Sequence, residues 1–129
     1  ARLDPYFEAA WVNGADLERA AGDEQKAVAL LREGLERLPK SAALKHALGL
    51  ALVRLGEKEA ALHALEAAAE LAPGEPRFAY VYGVALQSLG REREARAVLE
   101  RAVRRHPGDP QLIAALRAQD EAQADAGTP

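Results

Sequence analysis

The side chains able to do chemistry are few and scattered. His46, His63 and His106 are the only imidazoles, and cysteine is absent. A zinc or haem site assembled locally needs several ligands within a few residues of one another. Spacings of 17 and 43 residues between successive histidines supply no such set, and no carboxylate cluster joins them. The lack of cysteine excludes disulfides, thiolate zinc sites, iron–sulfur clusters and a thiol nucleophile. Ser41, Ser88 and Thr128 are the only hydroxyls besides the tyrosines. None sits in a strand–turn–helix elbow beside a histidine–acid pair, and Ser41 reads better as a helix N-cap. The glycines are isolated, so no phosphate-cradling loop is present. His46 is a groove or a packing residue, and His106 a helix-end residue favoured by the dipole. These residues assign no catalytic residue, no metal site and no cofactor.

One charged stretch stands out. Residues 91–105 hold six arginines (91, 93, 96, 101, 104, 105) against Glu92, Glu94 and Glu100, whereas residues 106–129 set Arg117 against four acids. A phosphate-binding patch is one reading. The other is an exposed convex helix face with Glu–Arg pairs three and four residues apart. The formal net charge of −3 and the lack of aromatic residues in the stretch favour the second, and no nucleic-acid partner is expected.

The elements that would position these residues follow from composition and period. The chain has 129 residues, 30 of them Ala and 19 Leu, which favours helices throughout. No stretch of about 18 uncharged apolar residues occurs, so no membrane insertion is expected. Pro5, Pro39, Pro73 and Pro107 recur every 34 residues. Gly22, Gly56 and Gly90 share the interval, as do Ala27, Ala61 and Ala95, then Leu31, Leu65 and Leu99, then the small residues Gly34, Ala68 and Ala102. Each unit is a helix, a glycine turn in the left-handed region, a second helix and a proline stop. Helices are predicted at 8–21, 24–37, 42–55, 58–71, 76–89, 92–105 and 110–124. The last begins with Asp109 as N-cap and Pro110 in the first helical position. Leu112, Ile113 and Leu116 let it cover the preceding pair, while Asp120, Glu121 and Asp125 face water, as a capping helix requires. Residues 125–129 are expected to fray.

These units resemble tetratricopeptide repeats, a 34-residue helix–turn–helix family. Residues 42–75 match best, with Leu48-Gly49, Leu52, Gly56, Ala61, Leu65, Ala68 and Pro73. Residues 76–109 carry Tyr82-Gly83, Leu86, Gly90, Ala95, Leu99, Ala102 and Pro107. Residues 8–41 carry Trp11, Ala27, Leu31, Gly34 and Pro39 but read Gly14-Ala15 at the Leu-Gly pair. Arg117 replaces the small residue after Leu116, so a fourth complete repeat is not expected. The resemblance implies an all-α solenoid, a right-handed superhelix of three units (8–41, 42–75, 76–109) plus a capping helix at 110–124. Residues 1–7 are then the tail of a preceding repeat or an N-terminal arm. The first residue is not Met and Leu3-Asp4-Pro5 resembles a repeat end, so the chain is expected to be a processed product or the C-terminal part of a longer protein. Trp11 and Leu17 would then have packed on a helix outside it. The excess of Arg over Lys (13 to 4) and the Ala content point to a bacterial source. The expectation is a soluble protein, with cytoplasm and periplasm both open.

By resemblance, the first helix of each unit lines a concave face. The groove residues so assigned are Val12, Asn13, Asp16 and Arg19, then His46, Leu50, Val53 and Arg54, then Arg77, Tyr80, Val84 and Gln87. The alternative for individual members is packing between neighbouring first helices. An apolar strip rimmed by Arg19, Arg54 and Arg77 implies a non-catalytic scaffold that binds a peptide or helical segment of a protein partner. Some family members clamp a chaperone's C-terminal carboxylate. Here the corresponding positions hold Val12, Asp16, Ala47, Arg77 and Val81, and only Arg77 carries the right charge. The alternative function is a structural spacer or a module that self-associates through the repeat ends, Trp11 and the 110–124 helix. A third reading is the arm of a larger enzyme or electron-transfer protein.

Overall fold

Three glycines set the rhythm of the chain. Gly22, Gly56 and Gly90 have φ of 88°, 79° and 81° and are the only positive-φ residues among those described. Each closes a helix with the same pair of hydrogen bonds, in which a carbonyl three residues back accepts from the glycine N–H. A carbonyl five residues back accepts from the residue that follows it. The pairs are Gly22 N to Arg19 O with Asp23 N to Glu18 O, Gly56 N to Val53 O with Glu57 N to Leu52 O, and Gly90 N to Gln87 O with Arg91 N to Leu86 O. The second helices stop differently. Leu38, Ala72 and His106 each precede a proline, which forces them out of the helical region (φ near −130°).

The structure, a computed structural model, describes residues 5–126. Among them run seven helices and no strand: α1 Pro5–Ala20, α2 Glu24–Arg37, α3 Ala42–Arg54, α4 Lys58–Leu71, α5 Pro76–Ser88, α6 Glu92–Arg105 and α7 Pro110–Ala126. Six of the seven begin and end within two residues of the predicted spans. The exception is α1, which starts at Pro5, three residues early. A proline read as a stop also fits the first turn of a helix, where its missing N–H has no partner to lose. Residues 1–4 and 127–129, the start of the expected arm and the end of the expected frayed tail, lie outside the described residues. Three N-caps are made by side chains: Asp23 Oδ1 accepts from Lys26 N (3.0 Å), Ser41 Oγ from Leu44 N (3.1 Å) and Asp109 Oδ1 from Leu112 N (3.0 Å). Ser41, fully buried, also donates to the Glu8 carboxylate and so ties α3 to α1.

The helices fall into two compact units, residues 1–72 and 73–129. In the first, α1 packs on α2, α3 on α4, α2 on α3, and α1 also reaches α3. Its core is built from Ala27, Val28, Leu31, Leu44, Ala51, Leu52 and Ala61, with Trp11, Leu35 and Leu38 against it. In the second, α5 packs on α6 and α7 lies against both. Leu99, Ala102, Leu112 and Ala115 form its core with Ala79, Tyr80, Val103 and Leu116. Fully burying one of these leucines contributes about 1.5–3 kcal/mol.

Two glycines let paired helices meet closely. A Cβ at Gly49 would lie 2.6 Å from Leu65, and one at Gly83 would lie 2.7 Å from Leu99. A third contact corrects an expectation. Trp11 does not wait for a helix outside the chain: it packs over Gly34 of α2, where a Cβ would come within 2.8 Å of its ring, and meets Phe7 edge-on at 6.2 Å. Leu17 remains 72% exposed.

Candidate functional site

The first helices carry the candidate residues, and each unit presents its own set. In the first unit, Asn13, Asp16 and Arg19 are exposed on α1, and Val12 is half-buried against the core. On α3, Leu50 is half-buried and Val53 is 46% exposed. His46 is a correction. Only 7% of it is exposed, so it packs inside its unit and shows almost no surface. Its helix packs against α1, α2 and α4. Arg54 is a second correction: it is no free rim charge, because its guanidinium is hydrogen-bonded and ion-paired to Glu24 at the start of α2.

In the second unit, Tyr80, Val84 and Gln87 of α5 line one wall of a shallow groove of about 430 Å³. The other wall comes from α7: Pro110, Gln111, Ala114, Ala115 and Ala118. No charged side chain lines it. Arg77 is exposed and lies outside this lining. In the sequence α7 reads as a capping helix or an end for self-association, and none of its five lining residues is among the candidates. The signal was present, because one further step of 34 residues carries Arg77, Tyr80, Val81 and Val84 onto Gln111, Ala114, Ala115 and Ala118.

Several contacts hold that second wall in place. Leu112 is fully buried. The side-chain amide of Gln119, itself 3% exposed, donates to the carbonyl of Glu92 at 2.7 Å and pins α7 to the start of α6. Arg96 of α6 pairs with Asp120 and, at 2.8 Å, with Glu100. The hydrogen bond that Arg96 donates to Asp120 raises its guanidinium above the ordinary value, with the charges of Asp120 and Glu100 adding to it. Part of the arginine-rich stretch is thus absorbed by acids of its own unit, while Arg93, Arg101, Arg104 and Arg105 face solvent. His106 closes α6, with its Nε2 3.0 Å from the carbonyl oxygen of Pro73. Among the described residues no group of three or more His, Cys, Asp or Glu is placed to hold a metal ion, and no helix is long and apolar enough to cross a membrane.

A family model described as tetratricopeptide repeat matches residues 2–119. No curated protein matches the chain. Solved structures share its fold at low identity. The first tetratricopeptide domain of Spaghetti (RPAP3), bound to the HSP90 peptide SRMEEVD, is 20% identical with a TM-score of 0.78, over 95% of this chain and 97% of that one. MamA is 22% identical with a TM-score of 0.78, over 94% and 71%. The type III secretion translocator chaperone SycD of Yersinia enterocolitica is 18% identical with a TM-score of 0.77, over 95% and 98%.

Proposed function

Since the chain belongs to the tetratricopeptide repeat family, we propose that it is a non-catalytic protein-interaction module that holds an apolar peptide or helical segment of a protein partner in the α5–α7 groove. The lining of that groove carries the proposal. A surface of Tyr, Val, Ala and Pro with two glutamines and no charge suits an apolar or amphipathic segment whose few polar atoms the amides can meet. The half-exposed Leu50 and Val53 on α3 offer a separate apolar patch in the first unit.

The structural neighbours support the class of function but do not name the ligand. One of them is bound to a peptide ending in Glu-Val-Asp. An acidic tail suits this chain poorly. At the positions that clamp such a tail in some family members, Asp16 would repel a carboxylate, Val12, Ala47 and Val81 have no charge to attract one, and Arg77 alone has the right charge. The groove itself offers an incoming carboxylate no cation. A charge buried there without a partner would be costly.

The test is paired selection from a peptide-display library. The intact chain and its Val84→Glu variant serve as baits, with helicity checked by circular dichroism. The proposal expects wild type to enrich peptides with apolar residues at helical or extended spacing. It also expects the variant, still folded, to bind them at least about tenfold more weakly. Enrichment of acidic C-terminal sequences, or binders indifferent to Val84→Glu, would overturn it.

A further inference from the structure

The two sides of α6 do opposite things. Ala95, Leu99 and Ala102 are buried, and the last two pack with Leu112 and Ala115 of α7. On the other side Arg93, Arg101, Arg104 and Arg105 are exposed, with Glu94 and Ala97 among them. The row runs about 18 Å along the helix. An ordinary solvated face would pair these arginines with acids three and four residues away. That pairing is made at the edge of the row instead, where Glu100 and Asp120 both go to Arg96. None of the four row arginines forms an ion pair with a described residue.

The repeat supplies an internal control. One and two periods back, Arg93 corresponds to Glu59 and Gln25, Arg101 to Ala67 and Glu33, and Arg104 to Glu70 and Glu36. The same positions of a second helix are therefore met by acidic or neutral residues in the other two units, and the fold does not ask for arginine there. Helix electrostatics does not ask for it either. Arg104 and Arg105 suit the negative end of α6, but Arg93 stands in its first turn, where a cation is disfavoured. Arg101 lies three residues from Arg104 and four from Arg105, spacings at which like charges repel. The cluster is held against these costs in a chain whose net charge is −3.

We propose that the outer side of α6 is a second interaction surface, separate from the α5–α7 groove, and that it binds a run of Asp and Glu in a protein partner. Charge complementarity selects this occupant. Guanidinium forks match carboxylates two bonds at a time, and about six residues of an extended chain cover the row. A short acidic run touches the row alone, because charges elsewhere on the chain lie beyond about 8 Å and are screened at physiological salt. A broad anionic membrane meets the whole chain, which carries net negative charge, and the apolar side of α6 is buried and cannot insert. Nucleic acid would find no aromatic side chain between residues 91 and 105 on which to stack a base.

The test is fluorescence anisotropy of a labelled peptide of alternating Asp and Glu, titrated with the full chain. The expected Kd is below about 1 mM at about 20 mM salt, weakening at least about fivefold at about 200 mM. A display selection at the higher salt therefore reads the groove alone. The Asn/Gln counterpart of the peptide should not bind. Arg101→Glu with Arg104→Glu installs the residues that α2 carries at the same register, Glu33 and Glu36. With helicity unchanged by circular dichroism, this pair should weaken binding at least about tenfold. Arg93→Gln, again the α2 residue, should weaken it about threefold and keeps the test open should the double variant lose its fold. Val84→Glu in the groove should leave it within about twofold. No binding of the acidic peptide at low salt, binding indifferent to all three arginine changes, or tighter binding of oligothymidylate or phosphatidylserine vesicles than of the peptide would each overturn the proposal.

Discussion

Replacing Gly49 with alanine should destabilise the protein, against the ordinary preference of helices for alanine. Gly49 lies in the middle of α3, where Gly→Ala without other effects stabilises by about 1 kcal/mol. Here the new methyl would sit 2.6 Å from both Cγ and Cδ2 of Leu65 and 3.3 Å from the carbonyl oxygen of Ala61. Leu65 is wholly buried and cannot swing into solvent. Separating the two helices would disturb the α3–α4 packing. Overpacking of this kind costs about 1–3 kcal/mol, and contact with a branch-point carbon and a backbone oxygen places it near the top of that range. The net change is a loss of about 2 kcal/mol, or roughly 1 M in the urea midpoint. Gly14→Ala is the control, since its Cβ would lie 3.7 Å from Leu30, an ordinary contact. It should gain up to about 1 kcal/mol. Urea titrations followed at 222 nm at low micromolar concentration would compare the two. If Gly49→Ala raises the midpoint as Gly14→Ala does, the close approach of α3 and α4 is wrong.

Two further substitutions probe the parts that position the groove and the cap. Ser41→Ala removes the α3 N-cap and leaves the Glu8 carboxylate without its buried donor. It should cost about 1–2 kcal/mol by denaturant titration. Leu112→Ala empties a fully buried position under α7 and should cost about 2–5 kcal/mol. Amide exchange in α7 should rise well before that in α3, since the two helices belong to different compact units.

How much of this was legible in the sequence depends on whether a feature repeats. Gly22, Gly56 and Gly90 and the prolines each do a local job at a fixed register, so the 34-residue period exposed the helix pairs and their order. Features made once, by tertiary contact, were hidden. Arg54 looked like a rim charge because its partner Glu24 lies 30 residues back on another helix. His46 read as a groove or a packing residue, and only the packing of α1, α2 and α4 around α3 decides between them. Trp11 was assigned to a helix outside the chain because nothing in the period points it at Gly34. The α7 wall of the groove was legible in principle. Its alanines continue the register of Tyr80 and Val84, but a helix read as a lid was not also read as a wall.

The central claim is that the uncharged groove of α5 and α7 is the binding surface. The most direct measurement is amide and methyl chemical-shift mapping of the labelled full chain, titrated with the strongest peptide from the display selection. The account predicts that the largest changes fall on Tyr80, Val84, Gln87, Gln111, Ala114, Ala115 and Ala118, and that Val84→Glu abolishes them. Changes centred on the arginine face of α6, or on α1, with these residues silent, would contradict it.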